Sequence, residues 1–436
     1  MIGAIGAALL AGEKMKHADE SVKSQFRGYN MSKVDYSLRE FTCNSCTNSC
    51  QIQEFNVEGS KTYWGDKCSE KFRRRAERPV EPVTEDLMSI RSEWLTDESN
   101  IDKAPAGAPV VGIPMTMFAY GQLPFWRTLL GKLGFATVLS ELTNKETVQA
   151  GQDAVVAEPC FPIVVAHGHI ACLDRDDVDH ILVPNIISPE QTQDDIESHL
   201  CPWHQTLPFV TRSAPALGSA AKKFMSPHVH FSEGQAFVTR GLVKFFKPMG
   251  LKRSKVRSAI AAAFEAQDAF KHKCLAAGAR ALDTLKRTGR RGIILVGRPY
   301  NLHDPGVNLS VARKLRQFYG VDCIPQDFLP TGDIDISDVN DNMYWSLGRH
   351  VLAAARLVGQ NPNLDIIYIT NFKCGPDSFV KHFTRPATGK PFLTLQFDGH
   401  SNDAGIMTRC EAYLDSKGIL RPQTEEPQPH AEPANA

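Results

Sequence analysis

Apolar and polar positions change period several times along the chain, and each change predicts an element. Residues 2–16 (IGAIGAALLAGEKMK) predict a small-residue helix whose Gly and Ala positions let another backbone come close. Residues 17–40 are polar and predict irregular chain. At Pro109 the character shifts. PVVGIPM has the run of a buried strand, QLPFWRTLLGKLG has helical period and stops at glycine, and ATVLS predicts a second strand. DAVVAEPC predicts a third strand. CFPIVVAHGHIACL predicts a helix opening at or just after Cys160, and HILVPN a fourth strand running toward the loop that carries Cys201.

Residues 213–290 are helix-rich, above all KVRSAIAAAFEAQDAFKHKCLAAGARALDTLKR. The alternation then resumes with strand GIILVG, helix VNLSVARKLRQFYG, strands LDIIYIT and PFLTLQF, and a closing helix DAGIMTRCEAYLDSKG. Strands alternating with helices of this length predict parallel sheets flanked by helices. The expected fold class is therefore α/β: two Rossmann-like parallel-sheet lobes, a helical middle segment and an N-terminal Cys-rich module. The expected boundaries are 41–75 for the Cys-rich module, 108–215 for the first lobe, 216–290 for the helical segment and 291–420 for the second lobe. Residues 421–436 (RPQTEEPQPHAEPANA) are rich in Pro, Glu and Ala and predict a disordered tail.

With 436 residues the chain has room for two or three domains. Its 49 basic and 49 acidic residues balance, which argues against nucleic acid or an acidic membrane surface as main partner. Eleven cysteines, an odd number in a long chain, argue against a secreted disulfide framework and for a reducing cytoplasm. The apolar run at the N-terminus is too short to cross a bilayer, and its lysines follow rather than precede it.

Seven of the cysteines fall into two groups. Cys43, Cys46 and Cys50 form CxxCxxxC, with Cys68 following in TYWGDKCSEK. Such spacing lets neighbouring loop thiolates share a metal, and iron–sulfur and zinc both use tetrahedral thiolates. The second group is dispersed: Cys160 in AEPCFP, Cys201 in HLCPW and Cys374 in NFKCGPDSF, each beside a proline or glycine-proline. Placed at strand exits of two lobes, three thiolates could hold a cuboidal cluster and leave one iron open. Ordinary buried cysteine is the competing reading, and it is the one taken for Cys172, Cys274, Cys323 and Cys410, which lie inside helix or strand patterns.

His167 and His169 are two apart and predict different helix faces. Arg298 in GRPYN is expected at a carboxyl edge, to meet an anion or a structural carboxylate. Glu158 and Asp377 neighbour the dispersed cysteines and could tune a cluster, donate protons or simply be solvated. No GxxxxGK[ST] phosphate loop is present.

The run VVGIPM, LPFWRTLLGKLGF, LSELTNKE, AEPCFPIVVAHGH, VDHILVPNIIS and HLCPW resembles the domain annexed to acyl-CoA dehydratase activases. GRPYNLHDPGVN, TNFKCGPDSF and FDGHSNDAGIMTRCEAYLD resemble the following segment of the same long proteins, so that the likeness covers about residues 40–418. The wider superfamily includes 2-hydroxyacyl-CoA dehydratase subunits and double-cubane-cluster proteins. Residues 1–20 resemble the last helix of the ATPase that precedes this region in the long proteins.

The resemblance implies that Cys160, Cys201 and Cys374 ligate an iron–sulfur cluster, 4Fe–4S or double-cubane in type. It matches Cys43, Cys46, Cys50 and Cys68 to a metal module holding zinc or a second 4Fe–4S cluster. The implied partners are an ATPase activator domain or chain, a small-molecule or CoA-thioester substrate and a second copy in a homodimer. The function expected is an electron-accepting or reductase component of an ATP-dependent activase system. A dehydratase-like radical lyase and a zinc-stabilised scaffold without redox chemistry are the alternatives.

Overall fold

The computed structural model describes residues 2–16, 35–43, 50–57, 59–65, 81–99, 101–190, 196–400 and 403–420. Cys46, Cys68, most of the predicted irregular stretch and the predicted disordered tail lie outside the described residues. The chain divides into two compact units, Met1–Arg73 and Arg74–Ala436.

The first unit holds helix α1 (Ile2–Lys16) and strands β1 (Tyr36–Thr42), β2 (Gln51–Val57) and β3 (Ser60–Trp64) in an antiparallel sheet of order β1-β2-β3. Strand β1 begins inside the stretch expected to be irregular. The alternation of Tyr36, Leu38 and Phe41 with polar residues is too weak to predict it, and pairing with β2 supplies what local pattern lacks.

The second unit opens with α2 (Leu87–Thr96), then β4 (Val110–Ile113), α3 (Ala119–Leu133), β5 (Ala136–Leu139), α4 (Lys145–Ala154), α5 (Phe161–Cys172), β6 (His180–Leu182) and β7 (Asn185–Ser188). Next come α6 (Pro202–Gln205), α7 (Leu207–Ser213), α8 (Gly218–Lys222), β8 (Phe224–Met225), β9 (His228–His230), α9 (Gly234–Phe246) and the long α10 (Arg253–Thr288). The second half contains β10 (Gly292–Gly297), α11 (Pro299–Leu302), α12 (Val311–Tyr319), β11 (Asp322–Pro325), α13 (Ser346–Gly359), β12 (Leu364–Asn371), α14 (Gly375–Thr388), β13 (Leu393–Phe397) and α15 (Asp403–Ser416).

Two parallel four-stranded sheets organise this unit, β5-β4-β6-β8 and β11-β10-β12-β13. Both run in the order second, first, third, fourth, so the α/β expectation holds in each half. Every residue of β10 and β12 is buried, as expected for parallel strands covered on both faces. Alternation then divides them: Ile294 and Val296 join a core shared with Ile113 and Met225 of the first sheet. Ile293, Leu295 and Ile367 face the other way, onto Leu315 of α12 and Met407 and Leu414 of α15.

Helix α10 runs 36 residues and buries Val256, Ile260, Ala263, Phe270, Cys274, Ala277 and Ala281 at helical spacing before a left-handed Gly289 ends it. It packs on α3 and against Phe328, where a Cβ on Gly278 would fall 1.8 Å from the Phe328 carbonyl oxygen. A buried hydrogen-bonded chain also joins the halves. Ser140 Oγ lies 2.7 Å from His169 Nδ1, His169 Nε2 lies 2.9 Å from Thr143 Oγ1, and Thr143 donates to Asp304 at 2.5 Å.

The segment DAVVAEPC is not a strand. Asn144 caps α4 by accepting from the Thr147 amide, the helix runs to Ala154, and Val155 to Pro159 continue as irregular chain. Val156 is 63% exposed, so its apolar character here marks no burial. Cys172 departs from expectation as well. It ends α5 on the solvent side and is exposed, whereas Cys274, Cys323 and Cys410 are buried as foreseen.

Candidate functional site

Cys160, Cys201 and Cys374 each occupy the position immediately before a helix, with proline at its first or second residue. Cys160 (φ −66°, ψ 154°) and Cys201 (φ −67°, ψ 155°) have nearly the same backbone. Proline suits that position because its missing N–H is one the helix leaves unpaired anyway. Cys160 is thus a helix start rather than a strand exit. Only Cys374 follows a sheet strand closely, three residues beyond β12, and its predecessor Lys373 takes a left-handed φ of 62°. Cys201 lies in the long passage between β6 and β8.

The repeated strand order makes two of these places equivalent. Cys201 lies in the third-to-fourth-strand connection of the first sheet, and Cys374 in the same connection of the second. Cys160 lies in the second-to-third connection of the first sheet, and the matching passage between β11 and β12 has no cysteine.

Close packing fixes the position of Cys160. Helices α4 and α5 cross at Gly151 and Gly168, where an added Cβ would sit 2.1 Å from the Val164 oxygen and 1.9 Å from the Thr147 oxygen respectively. Only glycine permits that approach.

The three cysteines are buried, with residue exposures of 8%, 7% and 8% in chain order, and lie near enough for the charges of Cys201 and Cys374 to act on Cys160. Burial pushes the Cys160 thiol up to about 12, the charges of Cys201 and Cys374 push the same way, and Arg298 opposes them. Cys374 rises to about 11, again through burial, with Arg298 opposing and Asp377 and Cys201 adding. Such thiols stay protonated until an electrophilic metal displaces the proton.

Arg298 is the cation of this site. It follows β10 and is buried, and its Nε donates to Asp377 Oδ1 at 3.0 Å. Thr370 Oγ1 donates to the other carboxylate oxygen. Among the described residues, Arg298 Nη2 has no acceptor, and both ring nitrogens of buried His204 lack a partner. Burial, then Arg298, lowers His204 to about 3, so its ring is neutral. Tyr300 packs edge-on against that ring at 6.2 Å and is pushed well up by burial, with all three cysteines adding. The sequence flagged Arg298 and Asp377 but missed His204 and Tyr300. The only local sign of either was a position two or three residues past a flagged one.

Arg298 and Cys374 stand at the carboxyl ends of β10 and β12, between which the strand order reverses. That reversal is where open α/β sheets form a ligand crevice. A cavity of about 50 Å³ adjoins it, lined by Met117 and Phe118 past β4, by Pro299 and Tyr300 past β10, and by Ile186 and His204. Met117 holds a left-handed φ of 41° there, a conformation costing about 1–3 kcal/mol that persists only where neighbours enforce it. Outside, Lys373 and Glu158 form an exposed ion pair at 2.6 Å that ties the Cys374 loop to the Cys160 loop. His167 and His169 point to different partners, Ile163 O at 2.7 Å and the Ser140–Thr143 pair, and neither joins the thiols.

Among the described residues, no group of three or more His, Cys, Asp and Glu is arranged about a single metal ion. A cuboidal cluster makes a different demand, because each thiolate takes a different iron and the sulfurs need not converge on one point. The donor chemistry fits such a group: three buried thiols that act on one another, two helices beginning at Cys160 and Cys374, and a buried guanidinium nitrogen without an acceptor. In the first unit, the Cys43 amide donates to the Cys50 carbonyl at 2.8 Å, which sets these two residues opposite each other at the loop end of the β1–β2 hairpin.

Residues 110–329 match the family described as the CoA enzyme activase uncharacterised domain. Comparison with curated proteins gives no match. Among the described residues no helix is long and apolar enough to cross a membrane.

Proposed function

Since the chain belongs to the family of the CoA enzyme activase uncharacterised domain, we propose that it is the electron-accepting component of an ATP-dependent activase-type system. In this reading Cys160, Cys201 and Cys374 hold an iron–sulfur cluster of 4Fe–4S or double-cubane type. The observation that carries it is the meeting of three buried thiols from three separate helix starts beside one incompletely paired arginine.

When bound, such a cluster supplies single-electron transfer at low potential. The chain's own residues set the conditions for it. Burial excludes water from the sulfurs, and Arg298, fixed by Asp377, offers its remaining N–H groups to negative charge. His204, neutral and unpaired, and Tyr300 border the cavity, whose small volume would admit only the reacting end of a small-molecule or CoA-thioester substrate. The electron comes from an ATPase activator domain or chain and passes to that substrate. Cys43, Cys46, Cys50 and Cys68 form a separate metal module in this reading, for zinc or a second 4Fe–4S cluster, and the facing of Cys43 and Cys50 across the hairpin supports it.

Iron and acid-labile sulfide counts on anaerobically purified chain, with visible absorption, test the assignment. Cys160→Ser, Cys201→Ser and Cys374→Ser should each lose this cluster's absorption and the iron it holds, whatever the Cys43, Cys46, Cys50 and Cys68 module retains, while the far-ultraviolet dichroism stays. A colourless protein that retains zinc alone, or iron unchanged in all three variants, would overturn it in favour of a scaffold.

A further inference from the structure

Helices α9 and α10 form a hairpin whose charge is unlike the rest of the chain. Between Glu233 and Glu265 there is no carboxylate, while Arg240, Lys244, Lys247, Lys252, Arg253, Lys255 and Arg257 are all exposed. Cations farther along α10 have partners: Lys271 with Glu190, Arg280 with Glu85 and Arg287 with Asp283. In the hairpin Lys255 donates to the Leu133 carbonyl at 2.9 Å and Arg240 lies over the Phe237 ring, but among the described residues none of the seven meets a carboxylate.

Arg240 from α9 and Arg253 and Arg257 from α10 line one groove of about 660 Å³, together with Gln235, Thr239 and Val243. That volume is in the range of small-molecule sites. Two physical costs converge in it. Three guanidinium groups repel one another across a shared space, and Arg253 and Arg257 stand in the first two turns of a 36-residue helix, where cations oppose the dipole. The N-cap of that helix, Lys252, makes no side-chain capping bond, so its first-turn amides are not met by a cap. An anion in the groove relieves both the mutual repulsion and the opposition to the dipole.

We propose that the α9–α10 groove binds a phosphate-bearing small molecule of nucleotide size. Guanidinium forks match phosphate oxygens two at a time, and negative charge near the start of α10 also suits its dipole. Three arginines converging on one groove from two helices match a compact cluster of phosphate charge better than an extended polymer, and Lys244, Lys247 and Lys252 outside the groove attract it from a distance. The site involves none of the cysteines and stands or falls apart from the redox reading.

Calorimetric titration of the full chain with inorganic triphosphate and with ADP, at low and moderate salt, tests this. One saturable site per chain is expected. Arg240→Ala and Arg257→Ala should each weaken it about tenfold or more, Arg257→Lys less, and Lys247→Ala outside the groove by less than about threefold. These side chains are exposed, so unchanged dichroism of the variants is the control for folding. Absence of saturable binding, or equal weakening by Lys247→Ala, overturns the proposal. So does co-sedimentation with anionic-lipid vesicles in the absence of triphosphate binding, which would reassign the patch to a membrane surface.

Discussion

Asp377→Asn isolates the electrostatic core of the cysteine site. Arg298 and Asp377 are each 2% exposed in their side chains and meet at 3.0 Å, so water screens neither. At that separation and an effective dielectric of about 20, the attraction is about 5 kcal/mol. Asparagine keeps the shape and can still accept from Thr370, but it leaves the guanidinium buried without a counter-charge. The expected loss of stability is about 3–5 kcal/mol, a large part of what typically holds a domain folded. Urea unfolding followed by tryptophan fluorescence reads it as a lowered midpoint at unchanged slope. Arg298→Met combined with Asp377→Asn removes both charges and should recover most of the loss, because an absent pair costs far less than a broken one. A single variant within about 1 kcal/mol of the parent would make the pair no better than a surface one and refute the reasoning. So would a double variant as weak as the single.

Two further predictions follow from the packing. His204 is buried as the neutral ring, held down to about 3 against an ordinary value near 6.5, so the stability it contributes is full above pH 6.5 and is lost as pH falls toward 3. By about pH 5 the loss is about 2 kcal/mol, and His204→Phe should remove that part of the slope in unfolding measured across pH. Gly168→Ala would drive a methyl to 1.9 Å from the Thr147 oxygen, so α5 must shift with Cys160 at its head. We expect a lowered unfolding temperature and a disproportionate loss of bound iron after anaerobic reconstitution, read as iron per folded chain.

The helix start at Cys160 was legible because its signal is local, and the same signal stood unread at Cys201 and Cys374, which were expected only at a loop and a strand exit. A cysteine one or two residues before proline marks a helix start whatever surrounds it. The buried strands β10 and β12 were legible for a similar reason, as unbroken β-branched and aliphatic runs bounded by glycine or polar residues. Val155 and Val156 imitate such a run, yet among the described residues no strand pairs with them, and pairing is a property of the fold. The short strands β7 and β9 were hidden by the converse: three or four residues carry too little pattern, and each exists through the other. The tie between Arg298 and Asp377 spans 79 positions and lacks any periodic trace. His204 was passed over because its significance lies in having no partner, which only packing reveals.

The equivalence of Cys201 and Cys374 in the repeated strand order has a structural consequence. The two share a topological place, whereas Cys160 has no cysteine at the matching place between β11 and β12. A group held by all three, as proposed above, would meet unlike surroundings on its two sides, so the two directions of approach to it would not be interchangeable.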